Sequence, residues 1–196
     1  LGRWIGSRTR AIVERDLVER AQRGDREAFA ALAEGSIGEL YNLAQLMLAD
    51  SDLAQDAVQE ALIAAWRDLR ALRDLDRFRP WLHRILVNSV YRAARNERRA
   101  SRLQVVASVD WGAPDPARDL ENRDVIDRGF RRLSAQHRAV LVARHFLGLS
   151  DDEAAEMLGV PSGTVKSRLH RATAAMRAEL DADSRRNEGL AMRTIR

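Results

Sequence analysis

Seven side chains in one ten-residue stretch could engage a surface of negative charge and hydrogen-bond acceptors: Ser162, Thr164, Lys166, Ser167, Arg168, His170 and Arg171. Each can donate a hydrogen bond, and three carry a fixed positive charge. Val165 and Leu169, four apart, would hold a helix down and turn the outer face, with Thr164, Lys166, Ser167, Arg168, His170 and Arg171, to solvent. Such a face fits the major groove of DNA, which admits one helix and offers phosphates and guanine edges to donors. From Ser162 to Ala178 there are four basic residues and no acid, whereas the segment before it carries Asp151, Asp152, Glu153 and Glu156. That polarity points one helix of the pair toward nucleic acid.

The residues before this stretch build its support. Ser150 and Glu153 form a capping box that starts a short helix. Ala154, Ala155 and Leu158 pack inward, and Gly159 ends the helix in a left-handed turn. Val160 plugs the turn, and Pro161 with Ser162 starts the second helix. Ser150 to Ala172 therefore reads as a helix-turn-helix.

Two further constellations lie upstream. From Arg77 to Arg102 there are eight arginines and one acid, Glu97, beside Phe78, Trp81 and Tyr91. Cations interleaved with aromatics suit single-stranded DNA, whose phosphates need charge and whose bases stack. Trp81 falls on an apolar face, where packing in the core and stacking on a base are both open; Tyr91 is undecided. In contrast, Asp50, Asp52, Asp56 and Glu60 precede any base before Arg67. An acidic helix face is a poor DNA ligand; a solvated face and a protein-binding one both fit it.

Composition bounds the alternatives. Of 196 residues, 45% are apolar and 32% charged, and the net charge is +4. Ala, Leu, Arg and Glu dominate and β-branched residues are sparse, which favours an all-α fold. Lys166 is the one lysine among 33 basic residues. The absence of cysteine removes disulfides, thiolate nucleophiles and Cys-based zinc sites. His83, His137, His145 and His170 lack metal-pair spacing, so no metal, cofactor, catalytic residue or small-molecule substrate is expected. No stretch reaches the roughly 20 apolar residues of a membrane span, and Leu1 to Arg10 lacks the apolar core of a signal peptide, so no membrane partner and a cytoplasmic location are expected.

These constellations need helices to carry them. Leu17, Val18 and Ala21 mark a short helix broken at Gly24-Asp25. Asp25 caps a second, with Ala28, Phe29 and Leu32, and Leu40, Leu43, Ala44 and Met47 mark a third. Leu53, Ala54, Ala57, Val58, Ala61, Leu62, Ala65, Trp66 and Leu69 give the fourth, with Asp52 and Gln55 as its capping signal. Arg70–Arg79 reads as a loop. A fifth starts at Pro80, with Trp81, Leu82, Ile85, Leu86, Ser89, Val90 and Ala93 inward. Periodicity then vanishes in a Pro- and acid-containing linker. Val125, Ile126, Phe130 and Leu133 mark the next helix, and Ser134 caps one carrying Ala139, Val140, Val142 and Phe146. The helix from Ser162 should end near Leu180. The expectation is two small helical domains, 11–99 and 123–180, joined by a flexible linker, 100–122, with a fraying tail, 181–196.

The segment Leu133 to Leu180 resembles the fourth conserved region of extracytoplasmic-function (ECF) sigma factors of bacterial RNA polymerase. Asp16–Leu32, Asp52–Leu69 and Phe78–Arg99 are similar to stretches of the second conserved region, in the same order. The resemblance implies a factor that directs core polymerase to promoters of stress or envelope-response genes. Its helix with Asp56, Val58, Gln59 and Glu60 would grip a coiled coil of the largest polymerase subunit. Helix Pro80–Arg99 and the loop before it would open and hold the −10 strand, with Arg77, Arg79, Arg84, Asn88 and Arg92 toward DNA and Asn88 near a flipped base. The helix from Ser162 would read the −35 element. Asp110, Asp115, Asp119 and Glu121 of the linker would thread toward the polymerase active centre. Core polymerase and promoter DNA are the implied partners; family members are also commonly held inactive by an anti-sigma protein.

Two other functions compete. A stand-alone DNA-binding regulator would explain Ser150–Ala172 and leave the upstream similarity without cause. A nucleic-acid enzyme would require clustered acids for a metal or a nucleophilic Ser in a basic site. The acids here lie on a helix without basic neighbours.

Overall fold

The computed structural model describes residues 2–104 and 129–194, with side chains over 12–99 and 129–182. The described residues are helical and contain no strand, as composition led us to expect. The chain divides into two compact units, with a boundary after Ala93.

In the N-terminal unit, α1 (Gly2–Gln22) is followed by a turn in which Gly24 takes φ +98°. That conformation favours glycine and breaks the helix where the sequence placed the break. Asp25 then caps α2 (Arg26–Leu48), accepting from the Ala28 amide at 3.0 Å. The second and third expected helices are this single helix. Its buried residues Ala28, Leu32, Ser36, Leu40, Leu43 and Met47 recur every three or four positions straight through Gly35 and Gly38. The cost of two helical glycines is offset by that unbroken buried face. Ser36, though buried, donates to the Leu32 carbonyl at 2.7 Å.

The α3 helix (Ser51–Asp68) is capped by Asp50 rather than Asp52; the Asp50 carboxylate accepts from the amides of Asp52 and Leu53 at 3.0 and 2.9 Å. Its inner face is narrow and small: Ala54, Ala57, Val58, Ala61 and Ala65. Leu53 and Leu62 are half-buried and Trp66 is exposed, so the expected apolar face is only partly used. Arg70–Arg79 is more ordered than a loop. Two 3-10 turns, Leu69–Ala71 and Leu75–Arg77, lead directly into α4 (Phe78–Gln104). This helix starts two residues before Pro80, which still sits in the first turn, where no amide partner is required. Phe78, Leu82, Leu86, Val87, Ser89 and Val90 are buried; Trp81, Ile85 and Ala93 are half-buried. The helix persists to Gln104, into the expected linker; the rest of that linker and its four acids, with Val125 and Ile126, lie outside the described residues.

Beyond these, residues 129–132 are helical. Ser134 caps α5 (Ala135–Leu141), accepting from the His137 amide at 3.3 Å. A π-helical turn, Val142–Phe146, follows, closed by the Leu147 amide on the Val142 carbonyl at 2.9 Å. The wider turn shifts the register, so Phe146, expected inward, is 62% exposed while Val142 and Ala143 are buried. The α6 helix (Asp151–Leu158) opens with the reciprocal box expected: Ser150 amide to Glu153 carboxylate at 2.8 Å, Glu153 amide to Ser150 Oγ at 3.3 Å. Ala154, Met157 and Leu158 are buried, and Ala155 and Val160 are half-buried. Helix α7 (Ser162–Thr194) runs well past Leu180, so the segment expected to fray is helical to Thr194.

Gly159 ends α6 at φ +65°, and a Cβ there would meet nothing within 4 Å. The penalty for a side chain is therefore conformational alone. Gly159→Ala should destabilise the helix-turn-helix by about 1 kcal/mol, and Gly159→Asn by less. Hydrogen exchange of the α6 and α7 amides checks both; unchanged protection in the alanine variant would exclude the left-handed turn.

Candidate nucleic-acid interface

The segment expected to read DNA is the first part of α7. Its start is fixed by the Pro161 carbonyl, which accepts from the amides of Thr164 at 2.8 Å and Val165 at 3.2 Å. Val165 and Ala172 are fully buried and Leu169 half-buried, so the anchoring side is the one expected. Lys166, His170 and Arg171 project outward and are exposed. Ser162, Thr164 and Ser167 are half-buried, and the Ser167 hydroxyl donates to the Thr164 carbonyl at 3.1 Å. Arg168 departs from the expectation. At 100° per residue it falls on the side of Val165 and Ala172, and it is half-buried. The outward set is thus Lys166, His170 and Arg171, flanked by Thr164 and Ser167.

Two acids at the start of α6, Asp151 and Glu153, are engaged locally. Asp151 pairs with Arg144 at 3.1 Å and lies 4.0 Å from the Lys166 ammonium. Glu153 is held in the capping box, whose hydrogen bonds from Ser150 keep its carboxyl below the usual range. His137 of α5, which belongs to no motif, sits near this face. Its imidazole is lowered below the usual value by burial, then by the nearby charges of Arg171 and Arg168.

The second basic surface is a stripe on α4. Arg84, Asn88 and Arg92 are spaced by four, so they stack on one face, and all three are exposed. Arg95 and Arg99 continue the exposed arginines. Trp81 is half-buried, its ring centroid 6.0 Å from that of buried Phe78. Tyr91 is half-buried as well. Arg77 is exposed in the second 3-10 turn. Arg79 is placed differently from the rest. Its guanidinium bridges Glu14 of α1 and Glu39 of α2, each at 2.9 Å, off the stripe. The same Glu39 accepts at 3.0 Å from His83, whose imidazole burial holds below its usual value against the opposing pull of Glu39. At neutral pH that contact is a hydrogen bond to a neutral ring. Arg79 and His83 therefore fasten the first turns of α4 to the bundle.

The acidic helix α3 presents Asp56, Gln59 and Glu60 to solvent. Glu60 reaches Arg92 at 3.3 Å, an exposed pair between the acidic helix and the basic stripe. Val58 is 4% exposed and belongs to the core. Its edge nevertheless lines an apolar groove of about 860 Å³ with Ile37, Tyr41, Leu62, Ile63 and Trp66. Trp66 stands against Phe29, the centroids 4.9 Å apart and the rings tilted by 57°. Four large apolar residues are exposed along it: Ile37, Tyr41, Ile63 and Trp66. Sequence reasoning assigned Trp66 to the core and missed the other three. The available signal was Ile63, an apolar residue off the buried stripe of α3. Among the described residues, no group of His, Asp or Glu is arranged to hold a metal ion, and no helix is long and apolar enough to cross a membrane.

Comparison with known proteins agrees with this layout. Residues 32–100 match the family Sigma-70 region 2, and residues 123–176 match Sigma-70, region 4. The chain is 35% identical over 158 residues to the ECF RNA polymerase sigma factor SigL of Mycobacterium tuberculosis, covering 76% of this chain and 87% of SigL. It is 33% identical over 176 residues to the RNA polymerase sigma-H factor of Pseudomonas aeruginosa, covering 83% and 91%. Among solved structures, CnrH in complex with the cytosolic domain of CnrY superposes with a TM-score of 0.59 at 30% identity, over 87% of this chain and 99% of CnrH. The sigma factor RpoE in complex with the anti-sigma factor NepR from Bartonella quintana gives 0.60 at 27% identity, over 79% and 98%. Fold and sequence together define a sigma factor of bacterial RNA polymerase. Within that class the chain belongs to the ECF RNA polymerase sigma factors.

The outward placement of Arg171 and Lys166 yields a discriminating experiment. Arg171 should read a guanine of the −35 element bidentately, and Arg171→Ala should lose ~1–3 kcal/mol at that base pair. Lys166→Ala, removing a flexible point charge, should weaken all −35 sequences alike and lower the salt slope by about one. Transcription from −35 variants with core polymerase checks both. Wild-type preference at every position in the Arg171→Ala protein would remove that residue from the groove.

Proposed function

We propose that this sigma factor divides its work among three surfaces. The groove and acidic edge of α3 dock on the largest subunit of core polymerase through Asp56, Gln59 and Glu60, with Val58 contributing only its edge. The α4 stripe of Arg84, Asn88 and Arg92, with Arg77 from the preceding turn, holds the opened −10 strand. The outward face of α7 reads the −35 element. Arg79 and Arg168 support these surfaces from behind. The observation that carries this reading is the exposed i, i+4, i+8 alignment of Arg84, Asn88 and Arg92 beside half-buried Trp81. It sets two cations around one amide that can bond a base edge, on a helix whose opposite side is core.

The factor has no catalysis of its own and works in the cytoplasm with core polymerase and promoter DNA. It needs no cofactor. An anti-sigma protein is the regulatory partner that fits, since the similar sigma factor RpoE was solved in complex with the anti-sigma factor NepR. A stand-alone regulator is not favoured, because it gives no role to the exposed apolar groove between α2 and α3.

Two outcomes follow. The isolated chain should bind duplex promoter DNA weakly, and gain specificity when core polymerase sets the spacing of its two contacts. A tight, sequence-specific gel shift by the protein alone at physiological salt would contradict this. Reversing Asp56 and Glu60 to Arg should abolish association with core while leaving circular dichroism and melting nearly unchanged, since exposed helix charges contribute only a few tenths of a kcal/mol. Unchanged co-purification of the reversed protein with core would remove α3 from the interface.

A further inference from the structure

The connection between α3 and α4 is held from outside by α1, a helix that lies before the segment matching region 2. The Gln22 side-chain amide donates to two main-chain carbonyls of the connection, Leu69 at 2.9 Å and Leu72 at 2.7 Å. Seven residues earlier, and so on the same side of α1, Arg15 pairs with Asp76 of the second 3-10 turn at 2.6 Å. Beside it, Glu14 holds Arg79 at the start of α4. Between these fixed points the chain is tethered locally: the Leu72 amide on the Leu69 carbonyl, and the Asp76 amide on the Asp74 carboxylate. Arg73, Asp74 and Arg77 are exposed along the span. Leu69 and Leu72 are buried and the two bonds are part-buried, so a well-placed donor there is worth more than one in open solvent.

We propose that α1 is a strap for this connection, and that Gln22 is a positioning residue for −10 recognition: it fixes the conformation in which Arg73 to Arg77 meet the opened strand. The inference rests on the assignment of the connection and α4 to the −10 element made above. A reading loop held in its bound shape before DNA arrives loses less freedom on binding, so the strap appears as promoter discrimination. Gln22 touches no DNA in this scheme. Its two donated bonds decide which backbone shape is presented, and the Arg15–Asp76 pair fixes the other end.

The test is transcription by core polymerase with the full-length protein on two libraries, one randomised at −10 and one at −35. Gln22→Glu keeps the shape of the side chain and removes its donor; the exposed variants Arg15→Asp and Asp76→Arg break the second tie without touching the core. Each should flatten −10 preference by about tenfold and leave the ranking of −35 sequences as in the wild type. Combining Arg15→Asp with Asp76→Arg should restore the −10 ranking. Wild-type −10 ranking in Gln22→Glu overturns the proposal. So does a proportional fall on both libraries, which marks general destabilisation. A wild-type protein that transcribes from neither library overturns the sigma-factor mechanism itself, and this inference with it.

Discussion

The seam of α3 is made of alanine. Ala54, Ala57, Ala61 and Ala65 are at most 1% exposed, and with Val58 they form the entire inner face of the helix. Small side chains let α3 lie close against its neighbours, and at that distance larger apolar residues have no room inside. Leu62, Ile63 and Trp66 are displaced to the rim, where they meet Ile37 and Tyr41 of α2 to line a groove. Asp56, Gln59 and Glu60 occupy the remaining outer side. The surface assigned to polymerase docking is in this sense a consequence of how tightly the helix is packed from behind. An enlarged alanine in the seam would damage both properties together.

Much of this arrangement could be read from the chain, because its signals are local. The Ser150–Glu153 box, the Asp25 and Ser134 caps and the left-handed Gly159 each depend on a few adjacent residues, and the structure places all four as expected. The misreadings came from choices that local pattern leaves open. Asp50 and Asp52 are equally good caps in isolation, and burial of the alanine seam selects Asp50. A break between two helices was inferred where α2 runs on through Gly35 and Gly38. The π turn at Val142–Phe146 changes register without any marker in composition, which turned Phe146 outward.

Sites were harder to read than elements for a related reason. Charge counting treats all arginines alike, whereas Arg79 is committed to Glu14 and Glu39, residues 65 and 40 positions away in sequence. Only tertiary contact separates it from Arg84 and Arg92. The groove was missed because hydropathy assigns large apolar residues to the interior; exposed ones become visible only when their neighbours are known. The exposed cations also have carboxylate company, Arg92 with Glu60 and Lys166 with Asp151. Such exposed pairs are weak and screened by salt, so a phosphate can take the place of the carboxylate at little cost.

The geometry of α4 bears on how such a chain can vary between lineages. Its basic stripe and its buried seam share one unbroken helix of 27 residues. One residue inserted between Leu82 and Asn88 would rotate everything downstream by about 100°, carrying Arg92 toward the core and Val90 toward water. Evolution can therefore exchange side chains along this helix but cannot lengthen or shorten it there. The short span from Leu72 to Asp74 obeys no such periodicity, since it sits between two separate turns. A change of length between those turns would alter the reach of the connection while the helix that presents the arginines stays in phase.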